Sequence, residues 1–427
     1  MGKKINLNHI TKIEGHAKLH IKIEKGEVKK VDLCIFEGSR YFEGILKDKK
    51  YNDVNHIASR ICGICSPVHG LTSVKATEKA MGVQVTEQTE ILRELLNIGG
   101  TIQSHVMHLY FLTLPDYTGF PNAVQMAQKH PEKVKRALKI KQLGNELVRV
   151  IGGRDIHPFT LTPGGFVTIP KKEEFQKLLT NAKACLTDAK KTAELFCGLD
   201  YPDFKRETKH YALKAKKGCF WCPEDSITCT GGKECISVTD YEQYFKEFFK
   251  QGSTAEFAKT QHGSYMVGAW SRILNNYDEL TKEGKEMCRC ILPRKDNPFM
   301  NNPAQAIEIY EGIRRVIDVL ENTEFKEEKP VAIKTKAGTG IGANEAPRGI
   351  VFHKYKYDKN GFTTFINITT PTTQNLQNLE DDIKHFLPTI LDKPKAEIQL
   401  EIEKLIRAYD PCISCATHFL EIIWEKS

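Results

Sequence analysis

Hydrophobic and polar residues alternate near the start of the chain. The segment HAKLHIKIE leads into a turn at Lys25 to Glu27 and then into VKKVDLCIFEG, with apolar residues at nearly every second position. This period of two is typical of β-strands with one buried face. The pattern predicts a β-hairpin within residues 1–50.

The spacing of apolar residues then changes to that of amphipathic helices. Pro67 interrupts the first helical stretch, and Gly152 with Gly153 can end the third. Helices are predicted over residues 54–81, 86–114, 134–151, 171–196 and 302–320. A segment at 200–240, which holds four cysteines, lacks a clear period and is predicted to be a cysteine-rich loop.

Alternation returns in the C-terminal third. Strands are predicted over 349–357 and 362–370, followed by two short helices around 375–391 and 396–409. The elements predict one unit over residues 1–427 of the α+β class, mostly helical, with a long central helix bundle and small β-sheets at the N-terminal end and near the C-terminal third. Its parts are an N-terminal β region at 1–50, a helical core at 51–330, a β region with the last cysteines at 331–418 and a C-terminal extension at 419–427.

Composition excludes several classes of protein. With 40% hydrophobic and 27% charged residues, the chain is neither disordered nor fibrous. Its apolar runs are too short for a membrane span, and the N-terminus turns polar where a signal peptide would be apolar, so we expect a cytoplasmic protein. The net charge of +8 is spread among acidic residues, which argues against a nucleic-acid partner.

The cysteines are the candidate chemistry. Thirteen cysteines without a secretory signal indicate reduced thiols rather than a disulfide framework. Cys62 and Cys65 form one pair and Cys412 and Cys415 another, and four thiolates can hold one zinc, iron or nickel ion. Spacing alone leaves open a structural zinc site, a redox metal or unrelated buried cysteines, although about 350 residues between the pairs are unlike a zinc knuckle.

The residues around both pairs resemble the signatures of a known family. Arg60-Ile-Cys-Gly-Ile-Cys-Ser-Pro-Val-His69 and Asp410-Pro-Cys-Ile-Ser-Cys-Ala-Thr-His418 are complete, and further matching segments extend over essentially the whole chain. They resemble the large, catalytic subunit of nickel-iron hydrogenases, most closely the cytosolic, NADP-linked sulfhydrogenase type. The resemblance implies that all four cysteines bind nickel, with Cys65 and Cys415 bridging to an iron that carries carbon monoxide and cyanide.

The resemblance also implies roles for neighbouring residues. Glu14 would pass the proton to or from a nickel-bound thiolate, although alone it reads as a strand-end carboxylate. Arg348 would lie above the open metal position, where a surface arginine is the ordinary interpretation. His69 would hydrogen-bond a bridging sulfur, and Asp410 would face the metal pocket.

A second ion is implied beside the first site. Glu43 and His418 match positions that hold magnesium or a similar ion, and a carboxylate suits such an ion better than an imidazole does. Thr372 and Thr373 match a hydroxyl stretch near the cyanide ligands, although a threonine after proline is also an ordinary helix cap.

Two features depart from the family pattern or extend beyond it. Ser104 precedes His105 and His108 where membrane-bound uptake members have aspartate, which favours the cytosolic, reversible members. Residues 419–427 follow His418, where the family's maturation endopeptidase cuts after nickel chaperones have delivered the metal. The sequence therefore resembles a precursor.

A second group of cysteines is not a recognised family feature. Cys219, Cys222, Cys229 and Cys235 lie within 17 residues. This compactness is typical of a structural zinc site, with an iron-sulfur cluster or unligated thiols as the alternatives.

The expected function is the reversible cleavage of H2 into protons and electrons. The chain has no ferredoxin-type cysteine run and no dinucleotide fingerprint, so an iron-sulfur small subunit is expected together with diaphorase or other electron-transfer subunits, and NADP or sulfur compounds as acceptors. The alternatives are a metal-free scaffold related to the quinone-side subunit of complex I, which lacks these cysteines, and a zinc-stabilised structural protein.

Overall fold

A computed structural model describes residues 3–25, 27–232 and 235–418. The predicted C-terminal extension at 419–427 lies outside the described residues. The helices are α1 Phe42–Leu46, α2 Tyr51–Ala58, α3 Ser66–Met81, α4 Glu87–Val106, α5 Leu114–Tyr117, α6 Ala123–Lys129, α7 Pro131–Gly152, α8 Lys172–Cys197, α9 Tyr241–Tyr244, α10 Ala269–Asn276, α11 Lys282–Cys288, α12 Asn301–Asn322, α13 Pro371–Phe386, α14 Lys395–Ala408 and α15 Ile413–Ala416.

The strands are shorter and form several small sheets. They are β1 Lys3–Leu7, β2 Ala17–Glu24, β3 Glu27–Ile35, β4 Leu161–Thr162, β5 Gly165–Phe166, β6 Lys209–Lys216, β7 Cys219–Cys229, β8 Ile236–Ser237, β9 Lys246–Phe249, β10 Glu256–Lys259, β11 Tyr265–Met266, β12 Gly338–Ala346, β13 Gly349–Tyr357 and β14 Thr363–Thr369. The fold is therefore α+β and mostly helical, as predicted.

The predicted N-terminal hairpin is confirmed. Strands β2 and β3 pair antiparallel, and β1 adds a third strand on the other side of β2. Leu19, Ile21 and Ile23 point to the buried face at every second position, which is why this segment alternates. The sheet packs through β3 against α13, which precedes the C-terminal cysteines.

Long helices form the centre of the molecule. Helix α12 packs against α8 and α4, and α4 packs against α7, so these helices form a bundle; α3, which follows Cys65, packs against α4. Gly153 caps α7 with φ +85°, a conformation that glycine adopts without strain. Within the described ranges, no helix has both the length and the apolar character needed to cross a membrane.

The prediction of a loop at 200–240 was wrong. Strands β6 and β7 form a hairpin in a four-stranded sheet of order β11-β6-β7-β8. Tyr211, Leu213 and Ile227 pack with Phe352 in a second hydrophobic core. The register shifts along β6 and β7, which interrupts the period of two and explains why the pattern was missed.

Strand β12, which was not predicted, lies directly on helix α3. Its Gly338, Gly340 and Gly342 face the helix at every second position. A Cβ atom at Gly340 would lie 2.0 Å from the carbonyl oxygen of Ala76 and 2.4 Å from the backbone nitrogen of Ala80. Backbone therefore contacts backbone here, and there is no room for a side chain.

We expect Gly340→Ala to lower the free energy of unfolding by about 1–3 kcal/mol, because the added methyl group must push strand and helix apart. Denaturant unfolding measures the change. Gly38→Ala is the matched control, since a Cβ there meets nothing within 4 Å, and it should change stability by no more than about 0.5 kcal/mol. Equal effects at the two positions would contradict the backbone contact.

Candidate metal centre

Two short turns bring the cysteine pairs together. Cys62 follows the 3-10 turn Ser59–Ile61, and Cys65 caps the N-terminus of α3. The second pair lies at α15, where Cys412 is the N-cap. The backbone carbonyl of Glu14 accepts a hydrogen bond from the Ile413 N–H at 3.0 Å, so the N-terminal region of the chain holds this turn in place.

The four sulfurs form one buried cluster, as predicted. The Sγ–Sγ distances are 3.4 Å for Cys62 and Cys412, 3.5 Å for Cys65 and Cys415, and 3.2 Å for Cys412 and Cys415. These distances are far longer than the roughly 2.05 Å of a disulfide. Sulfurs on one metal ion, at bonds of about 2.3 Å, would lie about 3.3–3.8 Å apart. The donor set therefore fits a thiolate-bound metal.

The four thiols change one another's acidity. The pKa of Cys62 lies well below its ordinary value, because the Cys412, Cys415 and Cys65 thiols hydrogen-bond to its sulfur and Arg348 lies nearby. Hydrogen bonds to Cys415 and Cys62 in turn raise the pKa of Cys412 well above its usual range. A cation entering the cluster would displace the remaining thiol protons.

Arg348 faces the cluster and is fixed by Asp410. Its Nε donates to the Asp410 carbonyl at 2.6 Å, one Nη to the Asp410 carboxylate at 2.8 Å and the other to Ser104 Oγ at 3.2 Å. Burial alone would lower the pKa of Arg348, but the Asp410 charge and the nearby sulfurs raise it well above its ordinary value. Ser104 thus helps to hold the guanidinium in place.

His69 connects the cluster to a buried polar row. Its Nε2 lies 3.8 Å from Cys415 Sγ, and its Nδ1 lies 3.1 Å from His353 Nε2. His353 Nδ1 in turn lies 2.5 Å from the Tyr355 hydroxyl, which donates to Ser73. Burial lowers the pKa of His69 to about 4, so the ring is neutral at neutral pH. A neutral imidazole can donate to the sulfur or accept from it.

A layer of paired polar and charged side chains lies next to Asp410, and this pairing was not predicted from the sequence. His105 on α4 and His108, two residues beyond its end, face Glu308 and Gln305 on α12, at 2.8 and 2.5 Å. Arg272 donates to the Glu308 carboxylate through Nε and Nη2. Its Nη1 donates to the Glu345 carboxylate, and the two Nη groups also donate to the backbone carbonyls of residues 346 and 347. The i, i+3 spacing on both helices is the signal that could have identified this pairing.

Glu14 lies between the cluster and the surface. Its carboxylate accepts hydrogen bonds from the Ser414 N–H, at 2.9 Å, and from the Ser414 hydroxyl. Ser414 lies between the two C-terminal cysteines, and Glu14 is partly exposed to solvent. The carboxylate therefore lies next to the turn that carries Cys412 and Cys415, on a residue that is partly exposed.

Glu43 and His418 also lie together. Glu43 Oε1 accepts from the Ile368 N–H at 2.8 Å and lies 3.9 Å from His418 Nε2, which also contacts the Ile368 carbonyl. Thr372 Oγ1 accepts from the Cys412 N–H at 3.1 Å. Thr373 Oγ1 hydrogen-bonds the hydroxyl of Thr370, the N-cap residue of α13.

The second cysteine group does not converge, and its interpretation as a four-thiol site was wrong. Cys219 and Cys222 form a disulfide at one end of β7, and Cys229 ends the same strand ten residues further on. Cys235 is exposed beyond the hairpin. An extended strand separates residues by about 3.3 Å each, so short sequence spacing does not bring these thiols together.

The chain is similar to several known proteins in sequence and in fold. A family model described as nickel-dependent hydrogenase matches residues 40–136 and 267–418. The sulfhydrogenase 1 alpha subunit of Pyrococcus furiosus is 36% identical over 425 residues, which cover 98% of both chains. The corresponding subunit of the F420-non-reducing hydrogenase of Methanothermobacter thermautotrophicus is 30% identical over 98% of this chain and 95% of that protein. An NAD+-reducing NiFe-hydrogenase in the H2-reduced state shares the fold, with a TM-score of 0.88, 24% identity and coverage of 97% and 99%.

The Arg348–Asp410 pair predicts a large, non-additive effect on stability. We expect Arg348→Met to cost about 3–5 kcal/mol of unfolding free energy, because it leaves the Asp410 carboxylate buried without its cation. Arg348→Met combined with Asp410→Asn should cost less than the sum of the single changes, as measured by a denaturant double-mutant cycle.

Arg289→Met is the control for this cycle. Arg289 is 77% exposed and pairs with Glu286 at 3.9 Å, so its loss should cost no more than about 1 kcal/mol. Strictly additive costs at Arg348 and Asp410 would contradict their direct coupling.

Proposed function

The chain belongs to the nickel-dependent hydrogenase family as a catalytic large subunit, and we propose that it cleaves H2 reversibly and heterolytically into protons and electrons. The observation that carries this proposal is the single buried cluster formed by Cys62, Cys65, Cys412 and Cys415. The presence of all four cysteines in one cluster disfavours the metal-free scaffold.

The cluster fits a nickel–iron group. Such a group, with carbon monoxide and cyanide on the iron, supplies the redox and Lewis-acid chemistry that polarises H2. All four cysteines would hold nickel, and Cys65 and Cys415 would also hold iron. A cavity of about 10 Å³ borders the sulfurs of Cys65, Cys412 and Cys415. Its other walls combine apolar residues with Arg348 and Thr372, which can donate hydrogen bonds to small ligands.

Arg348 would place a fixed positive charge beside the reacting position. It lines the same cavity, and Asp410 and Ser104 fix the plane of its guanidinium. A cation held in advance stabilises developing negative charge without having to reorganise. Arginine suits this role because it stays charged when buried.

Glu14 would move the proton. Its carboxylate contacts Ser414, between Cys412 and Cys415, and the residue is partly exposed to solvent. A positioned carboxylate of this kind can accept a proton from a thiol and release it to water. His69 would instead hold the Cys415 sulfur by a hydrogen bond, since its row of partners ends inside the protein at Ser73.

Glu43, His418 and the Ile368 carbonyl would hold a magnesium or similar ion. Their closeness supports this assignment, because two of the three groups offer oxygen, the donor that such ions prefer. Because the His418 ring also contacts the Cys415 carbonyl, such an ion would help to hold the turn that carries Cys412 and Cys415. It would then be structural rather than reactive.

Electrons would leave through the surface nearest the cluster, toward an iron-sulfur small subunit. Gly63, between Cys62 and Cys65, is exposed, and Arg60 beside it is exposed as well. The apolar side chains of Ile156 and Phe159 are 48% and 47% exposed, and Phe159 lines one surface pocket with Arg60. His157 ties this face to the cluster by donating its N–H to Ser66 Oγ.

The proposal extends to the subunits and electron acceptors that would work with this chain. Diaphorase or similar electron-transfer subunits would pass electrons to NADP, with sulfur or polysulfide as a second acceptor, and the complex would work in the cytoplasm. The similarity to a sulfhydrogenase alpha subunit supports this choice. A maturation endopeptidase would remove residues 419–427 after nickel chaperones deliver the metal.

Infrared spectroscopy with metal analysis tests the proposal directly. We expect carbonyl and cyanide stretching bands and about one nickel per chain in protein purified from its host with its partner subunits. H2-dependent reduction of NADP+ or polysulfide then identifies the acceptor. Zinc alone in protein that has lost residues 419–427, with no such bands, would contradict the proposal and favour a structural protein.

Glu14→Gln should lower the rates of H2 production and H/D exchange by about 100-fold or more, while the infrared bands remain. The amide keeps the shape of the side chain but cannot carry the proton. Glu24→Gln, on the exposed part of the same N-terminal sheet, is the control and should keep full activity. Retained exchange in Glu14→Gln would exclude the proton-relay role.

A further inference from the structure

A second group of potential metal ligands lies outside the four-cysteine cluster. Cys219 and Cys222 form a disulfide at the start of β7, and Glu94 on α4 faces both sulfurs at 3.8 and 3.4 Å. The two sulfurs and a Glu94 oxygen all lie within 4.8 Å of one another. Arg315 on α12 binds the Glu94 carboxylate through two N–H groups, at 2.6 and 3.1 Å.

This group borders a cleft with unsatisfied polar walls. The cleft has a volume of about 250 Å³, and its lining includes Cys222, Glu94 and Arg315. Three further wall atoms are buried without a hydrogen-bond partner among the described residues: Arg93 Nε, Asn97 Oδ1 and Trp221 Nε1. Buried polar atoms of this kind are normally satisfied by ordered water or by a ligand.

We propose that Cys219, Cys222 and Glu94 form a redox-controlled site for a zinc-type divalent ion. In the disulfide state the sulfurs are bonded to each other and cannot hold the ion. In the reduced state the two thiolates and the carboxylate supply three ligands, and water from the cleft supplies the fourth. Two sulfurs and one carboxylate are a donor set that suits tetrahedral zinc.

The redox step is an exchange with a dithiol. A thiolate of the dithiol attacks Cys222, the sulfur that borders the cleft, and the bond to Cys219 breaks. The second thiol of the reagent then closes its own disulfide and releases Cys222. Two electrons and two protons pass from the reagent to Cys219 and Cys222, and the ion displaces both protons when it binds.

Arg315 makes the charges balance. Two thiolates, one carboxylate and a divalent ion carry a net charge of −1, and the Arg315 guanidinium brings it to zero. Its Nη2 lies 3.9 Å from Cys222 Sγ, close enough to favour the thiolate. Each carboxylate oxygen can accept from arginine with one lone pair and bind the ion with another.

The site is separate from the proposed catalytic centre. Glu94 and His105 lie eleven residues apart on α4, about 16 Å along the helix axis. Changes at Glu94 or Cys219 therefore leave the four-cysteine cluster and its contacts in place. The inference does not depend on the proposed function, and neither does its test.

The test counts zinc in the full-length protein, with the subunits that copurify, in two redox states. One sample is kept as the disulfide and the other is reduced with dithiothreitol, which is then removed. Alkylation and mass spectrometry confirm the state of Cys219 and Cys222. Both samples are equilibrated with zinc, washed and analysed. We expect about one additional zinc per chain in the reduced sample only.

Matched variants assign this zinc to its ligands. Cys219→Ser and Cys222→Ser should gain no zinc on reduction, and Glu94→Gln should bind it at least about 10-fold more weakly. Cys229→Ser and Glu87→Gln are the controls and should behave as wild type. Zinc held at the four central cysteines is common to all samples and cancels when the counts in the two redox states are subtracted. Thermal unfolding measurements check that each variant is folded.

Two outcomes would overturn the proposal. One is an equal zinc count in the disulfide and reduced states of the wild type. The other is a gain on reduction that Cys219→Ser retains as fully as Cys229→Ser does.

Discussion

The structure depends on holding four buried cysteine sulfurs within 4.8 Å of one another, with neighbouring sulfurs only 3.2–3.5 Å apart. Thiolates at that distance repel each other, and two of the four come from the far end of the chain. The fold meets this requirement by fixing both cysteine pairs on short turns with little freedom. One turn begins α3 in the helical core, and the other is held by hydrogen bonds to Glu14 near the N-terminus.

Charge compensation is arranged in layers around the sulfurs. Arg348 is the nearest cation, and Asp410 keeps it in position. Beyond them, Arg272 forms ion pairs with both Glu308 and Glu345. Glu308 also hydrogen-bonds the His105 ring. Every charge in these layers has a partner, which is the condition under which ions can stay buried at acceptable cost. Neutral histidines such as His69 then offer hydrogen bonds without adding charge.

Helices and strands whose apolar residues recur at a regular spacing could be predicted from the sequence. The metal-binding cysteines could also be predicted, because each pair lies in a distinctive local motif. The N-terminal hairpin, the long helices α3, α4, α7, α8 and α12, and the two cysteine pairs belong to this group. Strand β12 could not be found, because glycines occupy the positions where alternating apolar residues would have marked it. Buried charges such as Arg272 and Glu345 were also missed, since on a lone element a charged residue is expected to face solvent.

The second cysteine group shows why spacing in sequence is a weak guide to spacing in the fold. Four cysteines in 17 residues suggested one compact site, yet an extended strand carries Cys229 away from Cys219. The third ligand that does approach the sulfurs is Glu94, which is 125 residues away in the chain. Only the packing of β7 against α4 brings it there.

The glycine face of β12 has a consequence for precision. Cys65 caps helix α3, which carries His69, and β12 leads into Arg348, so the gap between this strand and this helix helps to set the distance from sulfur to guanidinium. No side chain fills that gap at Gly338, Gly340 or Gly342. A contact made of main chain alone has no rotamers to change and little soft volume to expand on warming. The strand thus keeps a fixed distance from the helix. The distance between the Cys65 sulfur and the Arg348 guanidinium should therefore vary less with temperature than distances across a core built from flexible side chains.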